Sequence, residues 1–271
     1  MQRLPFLMKT PLLILCFLLQ GVLYAQTGLS VTPPRVYYKA DPGENSTQKI
    51  TVSNVSKTNT LDLAISLGDW EYDAKGNNRM FPADSLANSC SSWVSITEDE
   101  NYFSLQPGES KDIEVSLTIP QSLSEGIPVH TAMLYVTQMN PIDDVSKDGS
   151  NMKISVRSGI KLYHRRNVAK HKNIEIQNMF FEKESNKISI HFENKGNIWT
   201  DGIMYPELLN RETGKKTTLE HLIFYTMPGN YRETRLAVPQ DLEKGSYVAT
   251  IIMDFDNDNS LEMAELSFTY E

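Results

Sequence analysis

Along most of the chain, apolar and polar residues alternate in short runs, the period-two pattern of strands with one buried face. The runs fall at 28–39, 47–54, 61–72, 92–97, 111–119, 128–139 and 151–164. A second series follows at 173–182, 186–193, 203–210, 216–225, 231–238, 246–255 and 261–270. Val, Ile, Thr and Tyr are frequent within them, turn-forming residues separate them, and no stretch beyond residue 26 carries the apolar period of an amphipathic helix. Two series of seven short strands predict an all-β protein of two immunoglobulin-like seven-stranded sandwiches in tandem.

An internal repeat supports duplication. "PGESKDIEVSLTIPQSLSEG" (107–126) and "PGNYRETRLAVPQDLEKG" (228–245) share a Pro-Gly turn, an alternating strand and then [IV]-P-Q-x-L-x-x-G. Recurrence on the scale of a whole domain fits two copies of one fold rather than a solenoid. The polar stretch "RRNVAKHK" (165–172) marks the junction, giving domains at 26–165 and 166–271. So short a linker after a long strand predicts that the domains meet at a fixed angle with a cleft between them.

The first 25 residues stand apart. Arg3 and Lys9 precede an apolar run from Pro11 to Leu23, and Leu23-Tyr24-Ala25 ends in a small residue, the layout of a cleavable signal peptide. Export from the cytoplasm follows from that reading. Removing this leader takes away two cations and no acids, so the formal charge moves from −8 to −10. An acidic exported chain without a basic stripe is a poor partner for nucleic acid, and no later segment is apolar enough for direct membrane insertion. Cys90 is then the sole cysteine, so no intrachain disulfide can hold the fold.

The residues give no enzyme. There is no G-x-S-x-G, no phosphate-cradling glycine loop and no H-E-x-x-H, and the histidines His130, His164, His171, His191 and His221 are scattered without ligand spacing. No cofactor is implied. "DFDNDNSLEMAE" (254–265) places Asp254, Asp256, Asp258 and Glu265 at calcium-loop positions, but Asn259 stands where glycine makes the sharp turn and the flanks are strand-like. A polar hairpin tip accounts for the same letters, and no metal is expected.

One stretch does not read as scaffold. In "NMKISVRSGIKLYHRR" (151–166), Met152, Ile154 and Val156 share one face and Lys153, Ser155 and Arg157 the other, and Lys161 then sits between apolar neighbours beside the domain junction. Near the start of the mature chain, "LSVTPPRVYYKADPGE" carries Arg35 in a strand of similar character. An arginine fork and a lysine point charge beside one cleft suit a carboxylate.

On these residues the chain resembles the periplasmic pilus-assembly chaperones of the chaperone–usher pathway. "IKLYHRR" is similar to that family's I-K-L-[FY]-Y-R-P signature, with His164 and Arg166 departing from it, and "VTPPRVYY" to its first strand. The likeness covers about 28–166 and is weak over 167–271. It implies that Arg35 and Lys161 anchor the C-terminal carboxylate of a pilus, fimbrial or related surface subunit, and that Met152, Ile154 and Val156 form a strand donated to it. It also implies an outer-membrane usher as a further partner. The rival reading is a non-catalytic structural or adhesive protein of the same fold, binding a cell-wall polymer or a surface protein.

Overall fold

A computed structural model describes residues 28–97, 100–145, 150–255 and 261–271. The proposed signal peptide lies outside these residues. Among those described there is no α-helix, and none long and apolar enough to cross a membrane.

The first sandwich pairs two sheets. One has the order β1 (Leu29–Thr32), β3 (Asn45–Asn54), β8 (Ser110–Thr118), β6 (Val94–Ile96). The other runs β2 (Arg35–Lys39), β12 (Arg157–Arg165), β9 (Val129–Gln138), β4 (Leu61–Tyr72), β5 (Asn78–Pro82), and β7 (Tyr102–Leu105) also pairs β4. Inward-facing Ile50, Val52, Leu63, Val115, Leu134, Ile160 and Leu162 are fully buried between them. Each such aliphatic side chain contributes about 1.5–3 kcal/mol on burial.

The second sandwich has β13 (Ile174–Glu182), β14 (Lys187–Asn194) and β18 (Tyr231–Ala237) in one sheet. Facing it are β16 (Lys216–Thr218), β15 (Thr200–Asn210), β19 (Gly245–Asp254) and β20 (Leu261–Tyr270), with β17 (Leu222–Thr226) also on β15. Ile188, Ile190, Phe192, Met204, Ala249 and Ile251 fill its separate core.

Several predicted runs divide. The run 28–39 breaks at Pro33–Pro34, which lack the N–H that either ladder needs, and the chain changes sheets there. β1 pairs antiparallel with β3, and β2 parallel with β12. The run 151–164 breaks into β11 (Asn151–Ile154) and β12. Met139–Pro141 stand opposite the single residue Ser155, so β11 pairs instead with β10 (Ile142–Val145) in a ribbon of its own. Gln138 holds this bulge, its carbonyl accepting from Ser155 Oγ at 2.6 Å and its N–H donating to the Val156 carbonyl at 2.9 Å. The run 92–97 opens with a 3-10 turn at Ser91–Trp93, and 216–225 divides into β16 and β17. The edge strands β5 and β7 were not predicted.

Within the first core, His130 and His164 lie opposite each other on β9 and β12, both buried, with Trp93 packed on both rings. His164 Nε2 meets the Ala40 carbonyl at 3.0 Å, and neither Nδ1 has a partner. Burial, reinforced by the neighbouring imidazole, pushes the His130 pKa down to about 4. Burial lowers that of His164 as well, against the Ala40 carbonyl and the Asp41 charge, which favour its protonated form.

Two outcomes are expected. Leu134→Ala loses about 2–5 kcal/mol in urea unfolding, the cost of a cavity between two sheets. Stability also falls as pH drops below about 6.5. The unfolded imidazole takes its proton near there while folded His130 holds it off until about 4, so the unfolded state binds more protons throughout that window. Urea midpoints at pH 7.5, 6.5 and 5.5 check this; His130→Leu flattens the profile above the carboxylate range.

Candidate functional site

The parallel pairing of β2 with β12 puts Arg35 and Lys161 directly beside each other, the Lys161 N–H donating to the Pro34 carbonyl at 3.1 Å. Period-two alternation sends Val36, Tyr38, Ile160 and Leu162 into the core, and Arg35, Tyr37, Lys161 and Tyr163 to the outer face of the sheet. Trp70 and Tyr72 on β4 and Met133 on β9 share that face. It is not solvated as an outer face usually is: Trp70, Met133 and Tyr163 are buried together with Met227, and Trp199 packs against them. Tyr37 stacks on Tyr163 and on Trp199, with ring centroids 5.1 and 5.0 Å apart. A narrow cleft between the sandwiches is lined by Arg35, Tyr37, Tyr72 and Tyr163 on one side and by Trp199, Thr200, Asp201, Tyr225, Thr226 and Met227 on the other.

Lys161 is held on three sides. Its Nζ donates to Tyr72 Oη at 3.0 Å and to Asn78 Oδ1 at 2.6 Å, and lies 3.8 Å from the ring centroid of Trp70 and 4.2 Å from that of Tyr72. The Arg35 guanidinium sits 4.7 Å over the ring of Tyr225, in the second sandwich. Among the described residues neither cation has an ion-pair partner. Burial, and after it the charge of Arg35, pushes the Lys161 pKa down to about 8, and the two ring faces offset part of that penalty. The Tyr163 phenol is raised by burial, so it is a neutral wall of the cleft at neutral pH. Arg35 lines the cleft, with Asp201 on its far wall, and Lys161 lies beside Arg35 in register, behind Tyr72.

Met152, Ile154 and Val156 lie on the ribbon that leads away from this crevice. Met152 is 42 % exposed, and Ile154 and Val156 are half-buried. Among the described residues β11 pairs with β10 alone, and β2 reaches β12 no further than Lys161, so the backbone of 151–160 has one open edge. The apolar parity of Ile160 continues through Val156 and Ile154 to Met152.

The acidic segment behaves differently. β19 and β20 pair Asp254 with Leu261 and Thr250 with Glu265, so Asp254 and Glu265 stand roughly 13 Å apart along the ladder, at about 3.3 Å per residue. They cannot ligate one ion. Asp256 and Asp258 lie outside the described residues. Cys90 is buried, and burial raises its pKa, which keeps the thiol protonated.

Sequence reasoning missed Tyr72, Asn78, Trp199 and Tyr225. Tyr37 and Tyr163 carried a usable signal, since each lies two residues beyond Arg35 or Lys161 and shares its face. The second-sandwich residues carried none, because only tertiary packing brings them to the cations.

No family model matches the chain, and neither does any curated protein sequence. Among solved structures it is similar to the YadV chaperone, at 13 % identity and TM-score 0.46 over 89 % of this chain and 100 % of that one. It is similar to the Salmonella enterica SafA pilin in complex with the SafB chaperone, at 15 % and 0.44 over 90 % and 97 %. It is also similar to the E. coli chaperone DraB, at 17 % and 0.44 over 90 % and 98 %. Likeness this distant carries no part of the functional argument, which rests on the cleft.

Lys161→Met is expected to be at least as stable as the parent at pH 7. A lysine whose folded pKa lies below its unfolded value destabilises the fold while charged, and stability recovers as pH rises from about 8 through the ordinary lysine range. Thermal unfolding of both proteins at pH 7 and pH 9.5 checks this, the difference narrowing at the higher pH.

Proposed function

We propose that the protein is an exported, periplasmic chaperone for pilus, fimbrial or related surface subunits, holding them by strand donation until an outer-membrane usher takes them over. The observation that carries the reading is the pair Arg35 and Lys161, side by side and without an ion-pair partner among the described residues, at the foot of an open-edged strand. A subunit lacking one strand exposes an apolar groove and unpaired backbone, both aggregation liabilities. The edge at 151–160 supplies backbone donors and acceptors, and Met152, Ile154 and Val156 enter the groove, each side chain contributing about 1.5–3 kcal/mol before the cost of ordering.

The client's terminal carboxylate on Arg35 and Lys161 fixes the register. That matters because a slip of one residue turns every donated side chain to the wrong face. The cations gain a partner whose charge their desolvation has been waiting for, and Trp70, Tyr72 and Tyr225 keep water from competing.

Lys161→Ala is expected to fold and to lose client capture, since the charge-assisted contact that sets register is gone. Ile154→Asp is equally defective, because a carboxylate would enter an apolar groove. Recovery of chaperone–client complexes from periplasmic extracts measures both, with circular dichroism as the folding control. If both variants capture clients as the parent does, strand donation with an anchored carboxylate is wrong, and the structural or adhesive reading replaces it.

A further inference from the structure

The β4–β5 hairpin touches both halves of the cleft. Its flanking residues Tyr72 and Asn78, paired in register, are the two oxygen acceptors of Lys161 Nζ. Its tip, Asp73–Asn77, is a rigid turn: Asp73 Oδ1 accepts from the N–H groups of Lys75 and Asn77 at 2.9 and 2.8 Å, and Asp73 Oδ2 from the Asn77 side chain at 3.0 Å. That tip docks on the first residues of β18. The Ala74 carbonyl accepts from the Glu233 N–H at 2.6 Å and from Arg232 Nε at 3.3 Å.

Arg232 is 5 % exposed, in a protein whose other described arginines are more open to solvent. Its Nη1 donates to the carbonyl of Tyr225, the residue whose ring lies under Arg35, and its guanidinium lies 5.7 Å from the ring centroid of Tyr72. Among the described residues it has no ion pair. Gly76 is fitted to it: at φ +87° the backbone suits glycine, and a Cβ there would lie 1.9 Å from Arg232 Nη2. A buried cation satisfied by carbonyls alone is a costly way to fasten two domains, and hydrophobic residues would do it more cheaply. What this arginine adds is direction, since one planar fork spans a carbonyl from each sandwich.

We infer that Arg232 is the positioning residue of the cleft, holding the Tyr72–Asn78 hairpin against Lys161 and the Tyr225 ring under Arg35, so that its loss releases both cations together. The consequence for clients rests on the carboxylate-anchor reading; the positioning itself does not.

The test uses the full mature chain and the variants Arg232→Ala and Gly76→Ala, the latter breaking the same contact from the other side. NMR of 13C-labelled lysine, assigned with Lys161→Arg, follows the Lys161 titration; small-angle scattering follows the spread between sandwiches. Titration of N-acetylglycine, with its amide as control, supplies a bare carboxylate. In the parent Lys161 titrates near 8. In both variants its midpoint rises by about half a unit or more toward the ordinary lysine value. The scattering profile broadens, and N-acetylglycine binds at least roughly threefold more weakly than to the parent. If Arg232→Ala fails to fold, Gly76→Ala carries the test alone. An unchanged Lys161 midpoint with unchanged scattering in a folded variant overturns the inference. If the midpoint moves but N-acetylglycine binds neither parent nor variant, the positioning stands and the carboxylate anchor falls.

Discussion

Two like charges sit next to each other across a strand pair, and the rest of the cleft follows from making that tolerable. Like charges directly opposite in a sheet repel. Arg35 and Lys161 are adjacent because β2 joins β12 in parallel, a pairing that no tight hairpin can make. The switch at Pro33–Pro34 carries the chain from one sheet to the other and so creates the parallel neighbour. Each cation is then backed by aromatic faces, Lys161 by Trp70 and Tyr72 and Arg35 by Tyr225. One of those faces belongs to the second sandwich. The first domain alone therefore has an incomplete site.

The same dependence shows in packing. In an isolated antiparallel sandwich the outer face of a sheet is solvated and polar. Here Trp70, Met133 and Tyr163 occupy it and are buried with Met227 from the second sandwich. Separating the domains would expose a contiguous aromatic patch of the kind that soluble monomers avoid. Beyond the covered region the β10–β11 ribbon carries the open edge. Lys153 and Arg157, both exposed, interrupt its apolar residues, and charges on an edge discourage pairing with copies of itself. An edge proposed to receive a partner is guarded in this way against its own kind.

How much was legible follows from the same physics. Long strands with one buried face, such as β8, β19 and β20, show as period-two runs because the core selects every second residue. β5, "NRMFP", has little buried on either side, so it leaves no pattern. The break at Ser155–Val156 was invisible because it is caused by Met139–Pro141 on the neighbouring strand. Arg35 and Lys161 could be picked out because cations are anomalous in strands of this kind. Arg232 could not: "YRETRLA" reads as an ordinary half-exposed strand, and only the docked tip at Ala74 buries that side chain. The acidic run ending in Glu265 is the converse case, a composition that suggested an ion until the β19–β20 register separated its ends.

The unpaired state of the two cations is itself informative. A lysine with its pKa pushed down to about 8 has already borne the desolvation that binding would otherwise impose. An anion that enters meets donors fixed in place, so little is spent on reorganisation and more of the interaction appears as affinity. A neutral ligand would leave the penalty standing. A large multivalent anion would have to displace the rings of Tyr37, Trp199 and Tyr225 that narrow the crevice. A small planar anion meets both limits, which is why a terminal carboxylate is the ligand proposed above.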